Sequence, residues 1–307
     1  STPSPRWPSN FPLAKRAQRG HSAWVSLASA DDFEIVARSH SLHARRWGSE
    51  SGPLVLGVPG LSGNVAHFGF LGERIGGDDV QLVALDLRGR GRSDTTPPGS
   101  YGWENHARDL FAVADALGFD RFAVIGQSMG GSVAMTAARL EGSRLRAVVL
   151  IDVAGRVDPG VGPVIEDSLR RLDRTYDSPE HYFAEVSSQG LVEPWTVHWE
   201  KAYGYDLCEV PGGFALRTSA GAVAEDRTYT ATQHPSDRWK YLTMPTLLVR
   251  ATCELRAGAG YVVPSADRDR FLHEAPQATV VEVDGNHLTV NTHPATAEAI
   301  YSFLVTP

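Results

Sequence analysis

Apolar residues along this chain gather in short runs, and stretches of helical length separate one run from the next. Residues 33–37 and 42–47 predict an early pair of strands. Residues 53–58 (PLVLGV) are almost wholly apolar, the pattern of a strand covered on both faces. Further runs at 80–85, 122–125, 147–151, 246–249 and 279–283 predict five more strands, and 102–117 and 130–140 read as helices between them. Strands alternating with helices predict an α/β domain built on a mostly parallel sheet with helices on both faces.

The regular spacing breaks once. Between Val153 and Tyr241 no comparable strand run occurs, whereas about 12–15 residues is already long for a loop without structure of its own. An inserted subdomain over 153–241 is therefore expected, opened by Pro159, Gly160 and Gly162, with Met244-Pro245 marking the return. The core then comprises 21–152 and 242–307. Residues 1–20 mix Pro, Arg and Lys with isolated apolar positions and read as an N-terminal extension that wraps the core or meets a partner subunit.

Composition narrows the class. With 42% hydrophobic and 21% charged residues, the chain can bury a sizeable core and is neither disordered nor of low complexity. A net charge of −7, with Lys and Arg scattered, argues against nucleic acid or an anionic membrane as the main partner. No apolar stretch reaches the roughly 18 residues of a membrane helix. Cys208 and Cys253 are too few for a disulfide scaffold, and residues 1–20 lack the apolar region of a signal peptide, so a cytoplasmic protein is expected. A homo-oligomer is left open.

Chemistry enters at residues 121–131, RFAVIGQSMGG. A bare G-x-S-x-G arises by chance on the order of 0.2 times in a chain of this length, so the context carries the weight. An apolar strand runs straight into Gly126, and a helix-forming stretch follows Gly131. A sharp strand-to-helix turn needs small residues two before and two after the nucleophile, and Gly126 and Gly130 meet that need for Ser128. A serine hydroxyl requires a base, and His287 follows the last predicted strand after Asp284-Gly285-Asn286, the place of the base in the Ser…acid…His order. His293, ahead of Pro294 at the start of the last helix, reads as structural.

The acid has two candidates. Asp152 ends the strand after the nucleophile strand, 24 positions beyond Ser128. Glu254 follows the next strand, where Arg256 can neutralise it. Asp152 is favoured and Glu254 is the alternative. An oxyanion hole needs two backbone N–H donors, read as Met129 after the serine and Leu61 in the turn VPGLSGN, where Gly60 lets the backbone approach. The segment DLRGRGRSD, 86–94, lacks the signature of a phosphate loop and reads as a turn fixed by Arg–Asp pairs. No metal or cofactor is implied.

Taken together, VPGLSGN, DLRGRGRSD, GQSMGG and DGNH, in this order and spacing, resemble the α/β-hydrolase superfamily over about residues 33–304. The resemblance implies a mostly parallel eight-stranded sheet with a helical cap inserted after the sixth strand. It assigns Ser128 as nucleophile, His287 as base, and Leu61 and Met129 as oxyanion donors. The chain departs from the family pattern at Pro59, where a His is usual, and at Ala251 and Glu254, where Gly and a late Asp are usual. Some members place the acid after the sixth strand, as Asp152 would be. A Ser nucleophile speaks against dehalogenase and epoxide-hydrolase chemistry, which needs a carboxylate there.

The cap is rich in aromatic residues, among them Trp195, Trp199 and Tyr203, which are read as binding the substrate. Without an Arg or Lys cluster in the cap, the expected substrate is a neutral ester or lactone, and the sixth-strand acid with an aromatic cap is similar to zearalenone-type macrolactone hydrolases. Two alternatives remain: a hydrolase of carbon–carbon bonds in ring-cleavage products, and a slow-turnover ligand receptor on the same fold.

Overall fold

The computed structural model describes residues 30–306, so the extension expected over 1–20 lies outside the described residues. Eight strands form the main sheet: β1 (Ala30–Ala37), β2 (His40–Trp47), β3 (Leu54–Val58), β4 (Gln81–Leu85), β5 (Phe122–Gln127), β6 (Leu145–Ile151), β10 (Thr246–Ala251) and β11 (Ala278–Val283). Their order is β1-β2-β4-β3-β5-β6-β10-β11. β1 pairs antiparallel with β2, and β2 with β4; every other neighbouring pair is parallel.

Successive residues of the central strands feed two separate cores, as the two-residue period of a strand dictates. Leu54, Leu56, Phe122, Val124, Val148 and Leu150 face one layer, with Trp103, Leu110, Val133 and Phe271 from helices α2 (Trp103–Ala116), α3 (Met129–Glu141) and α8 (Ser265–Glu274). Val55, Ala123, Ile125, Val149 and Ile151 face the other, covered by Leu71 and Ile75 of α1 (Gly69–Ile75) and Ala297 and Ile300 of α9 (Pro294–Val305). Burial on both faces is why these strands are legible as uninterrupted apolar runs.

The insertion after β6 holds α4 (Val161–Leu169), α5 (Pro179–Ser188), α6 (Val197–Tyr205) and α7 (Ala220–Ala231). It is not purely helical. β7 (Thr175–Tyr176), β8 (Leu207–Val210) and β9 (Gly213–Leu216) form a small antiparallel sheet in the order β7-β9-β8. Gly212, at φ 92°, turns the β8–β9 hairpin, and a Cβ on Gly213 would stand 2.2 Å from the Tyr176 carbonyl of β7. The cap has its own core, in which Tyr176, Tyr182, Trp199 and Tyr203 are buried.

The last cap helix is bound to the core. In α7, Glu225 accepts the N–H groups of Gly99 and Tyr101, at 2.8 and 2.9 Å. Asp226 accepts that of Gly102 at 2.7 Å, and Thr230 accepts the indole N–H of Trp103 at 3.2 Å. Among the described residues no helix is long and apolar enough to cross a membrane.

Candidate active site

β5 runs into Ser128, which adopts φ 54° and ψ −123°, and α3 begins at the next residue. A non-glycine residue at positive φ is strained and is held there by its surroundings. Here the surroundings are close backbone contacts. A Cβ on Gly126 would lie 2.3 Å from the Gly130 carbonyl oxygen, and one on Gly130 would lie 2.0 Å from that of Val58. The Ser128 N–H donates to Ile151 at 3.1 Å, which ties the turn to β6. Its hydroxyl does not cap α3, so it is left for other chemistry.

Asp152 sits at the tip of β6, also at positive φ (49°), and is 1% exposed. Its N–H donates to Val249 at 2.8 Å, and its Oδ1 accepts the Ala251 N–H at 3.0 Å. Both contacts are to β10, so the neighbouring parallel strand aims the carboxylate. Oδ2 then lies 2.9 Å from Nδ1 of the buried His287. With the Nδ1–H donating a hydrogen bond to the Asp152 carboxylate, Nε2 keeps its lone pair, the form a general base requires. The loop behind His287 is fixed by Asn286, whose Oδ1 accepts the N–H groups of Leu288 and Thr289, each at 3.0 Å. The Asn286 amide also donates to Leu191 of the cap at 3.0 Å.

Glu254 is elsewhere: its carboxylate accepts the Gly258 N–H at 2.7 Å within its own turn. The alternative acid is thus engaged locally, and the imidazole belongs to Asp152.

Gln127 went unnoticed in the sequence, although it is the middle residue of G-x-S. Its amide nitrogen lies 3.3 Å from His287 Nε2, as a donor to that lone pair. Gly60 passes over the same group: a Cβ there would stand 2.5 Å from Gln127 Oε1 and 3.2 Å from Ser128 Cβ. This close approach brings the VPGLSGN turn beside the nucleophile. Among the described residues, neither the Leu61 nor the Met129 N–H donates to another protein group.

The loop carrying Leu61 is held from behind. Arg90, fully buried, donates to the Leu61 carbonyl from Nε at 3.1 Å and Nη2 at 3.0 Å. The same guanidinium pairs with Asp226 of the cap at 2.7 Å. Burial alone would raise the Asp226 pKa, but His106, Arg90 and the Gly102 N–H hold it at about 2. Elsewhere in the 86–94 segment, Arg88 forms a bidentate pair with Asp109, and Asp86 accepts the Val65 and Arg92 N–H groups at 2.8 and 2.9 Å. The segment is a structural turn, and one of its arginines also braces the turn that carries Leu61.

The aromatic residues of the cap divide. Trp199 and Tyr203 are 2% and 8% exposed within the cap's core, and Trp195 stacks on Tyr203 with centroids 5.6 Å apart. Leu61, in the turn at 58–64, and Leu288, next to His287, pack against this cluster. The rings therefore roof the site. A separate groove of about 500 Å³, lined by Leu207, Cys208, Phe214 and Arg217 among others, lies on the cap and includes neither Ser128 nor His287.

Residues 53–190 match the model of the alpha/beta hydrolase fold. The chain is 37% identical over 142 residues to an N-formylmaleamate deformylase of Pseudomonas putida, a match that covers 45% of this chain and 52% of the deformylase, about half its length. It is 31% identical over 277 residues to RutD of Variovorax paradoxus, a protein named for carbamate hydrolysis, covering 85% of this chain and 93% of that one. The crystal structure of an E-2-(acetamidomethylene)succinate hydrolase superposes with a TM-score of 0.79 at 22% identity, over 91% of this chain and all of that one, a likeness of fold. Sheet order, the strand-to-helix turn at Ser128 and these matches agree: the chain belongs to the α/β-hydrolase superfamily.

Proposed function

We propose that the protein hydrolyses a carboxylic ester or lactone by acyl transfer through Ser128. The observation that carries this reading is the imidazole of His287, fixed by Asp152, with its other nitrogen 3.3 Å from the side-chain amide of Gln127, the residue before the strained Ser128. Ser128 Oγ bonds to the substrate's carbonyl carbon as its proton passes to His287 Nε2, with the Gln127 amide giving up that nitrogen. The N–H groups of Leu61 and Met129 receive the oxyanion. Collapse expels the alcohol, which takes the proton from Nε2. Water then attacks the acyl-enzyme, giving its proton to Nε2, and release of the acid restores the serine hydroxyl.

A second reading is cleavage of a carbon–nitrogen acyl bond by the same steps, with an amine leaving. The names of the deformylase and of RutD favour it. Carbon–carbon hydrolysis of a ring-cleavage diketone uses the same groups.

A fluorophosphonate probe tests all of these at once, with an adduct expected on Ser128. Its absence would refute every hydrolytic reading and leave the receptor alternative. Turnover of aryl esters, small lactones, macrolactones, formamides and a ring-cleavage diketone then ranks the bond types.

A further inference from the structure

We propose that Arg171 receives a carboxylate of the substrate, an inference that rests on the serine-hydrolase reading and specifies its substrate class. Arg171 belongs to the turn of 3-10 helix, Arg170–Asp173, that follows α4, and is 6% exposed. One of its Nη atoms donates to the Ser168 carbonyl, and the other donates to Ser62 Oγ at 2.9 Å. Ser62 directly follows Leu61. The guanidinium therefore stands where the cap meets the oxyanion loop, with its carbon 5.9 Å from the Tyr203 ring centroid.

Its surroundings leave it incomplete. A guanidinium offers five N–H donors, and the buried Nε of Arg171 has no partner among the described residues. The buried Tyr182 hydroxyl faces and interacts with the same cation and has no other partner among the described residues. Charge balance says the same. Besides Arg171, the buried arginines among the described residues are Arg88, Arg90, Arg238 and Arg250. Each of these has a carboxylate, respectively Asp109, Asp226, Glu104 and Glu282. Arg171 alone forms no such ion pair. Asp206 acts on it through space, but its carboxylate is held by Thr218, at 2.8 Å from the hydroxyl and 3.2 Å from the N–H.

A buried cation with no carboxylate in contact is costly, and it is tolerated where a ligand completes it. The planar fork of a guanidinium with a free Nε matches a carboxylate, which would also reach the Tyr182 hydroxyl. The sequence of the cap, read for clusters of basic residues, implies an uncharged substrate, and a single buried arginine leaves no such mark. The substrate class becomes an ester or amide that carries a free carboxylate away from the scissile bond.

Two pairs of esters test this, one for each side of the bond: 4-nitrophenyl hydrogen glutarate against 4-nitrophenyl hexanoate, and 4-acetoxybenzoate against 4-acetoxybenzamide. Wild type should favour the charged member of at least one pair by tenfold or more in kcat/KM, on the order expected for a charged hydrogen bond. Arg171→Met should lower that charged-to-neutral ratio at least tenfold, on the same basis. If the Met variant does not fold, Arg171→Lys, which keeps the charge and loses the fork, should lower the ratio as well. No charged preference in wild type, or an unchanged ratio in the folded variant, overturns the inference. Failure of wild type on all four esters with no Ser128 adduct would instead overturn the hydrolase reading beneath it.

Discussion

His287 Nδ1 and Asp152 Oδ2 lie 2.9 Å apart, although 135 positions separate the two residues in the chain. The contact orients the imidazole, and Asp152 has its own orientation set by the Val249 carbonyl and the Ala251 N–H of β10. Asp152→Asn should keep the fold and lower kcat on an aryl ester by about 10³–10⁴, because the wrong tautomer faces the serine. Glu254→Gln, which alters only a bond to Gly258, should stay within about threefold. Equal losses would reverse the assignment.

Arg90 and Asp226 are both 0% exposed, and Arg90 also holds the Leu61 carbonyl. Removing one partner of a buried pair leaves an uncompensated charge. Asp226→Ala should lower the unfolding free energy by about 3–5 kcal/mol in denaturant titration. In whatever fraction folds, kcat should fall more than KM rises, since the loosened loop bears a donor needed in the transition state. An unchanged kcat would separate this brace from the oxyanion hole.

Two groups near the cap seam, the half-buried His67 and the buried Asp206, oppose each other in pH dependence. Burial, with Arg171 nearby, lowers the His67 pKa to about 4. The unfolded chain therefore takes the proton first, and this contribution to stability grows as pH rises from about 4 to 6.5. Burial raises the Asp206 pKa to about 6 against the hydrogen bonds of Thr218, so the folded chain holds that proton longer and stability falls as pH rises from about 4 to 6. The two slopes largely cancel. Relative to wild type, Asp206→Asn should gain stability as pH rises through this window, by up to about 3 kcal/mol, and His67→Gln should lose it. Urea titrations at pH 4.5, 5.5 and 6.5 measure both, and parallel curves for all three proteins would refute the pairing.

Gly130→Ala places a Cβ 2.0 Å from the Val58 carbonyl oxygen, a backbone atom that cannot rotate away. The loss of stability should be about 3 kcal/mol or more. Gly162→Ala, with no atom within 4 Å of its Cβ, serves as the control and should differ little by thermal melting.

How much of this was legible in the sequence depends on where each signal is stored. The strands of the main sheet carry theirs locally, β3, β4, β5, β6 and β10 as runs buried on both faces and the outer β1, β2 and β11 as apolar positions on a partly exposed ribbon. The cap was visible only as a gap, because β7–β9 are two to four residues long and partly exposed, and tertiary packing rather than pattern holds them. Ser128 and His287 are marked by their turns. The choice between Asp152 and Glu254 was not, since it rests on the pairing of β6 with β10, a relation between distant segments. For the same reason the brace from Arg90 to Asp226 and the unpaired charge of Arg171 emerge only in three dimensions.

The anchoring of α7 has a mechanical consequence. Glu225, Asp226 and Thr230 bolt this helix to the loop and helix at 99–106, and the Ser219 N–H bonds to the Gly89 carbonyl just before it, at 2.8 Å. By chain position α7 is part of the insertion, yet in rigidity it travels with the sheet. α6 is tied to the core as well, by the Asn64 amide donating to the Ala202 carbonyl at 3.1 Å and the Tyr205 hydroxyl donating to Asp86 at 2.5 Å, and α4 packs on Leu255 and Val262, so any breathing of the cap falls to α5 and the three short strands.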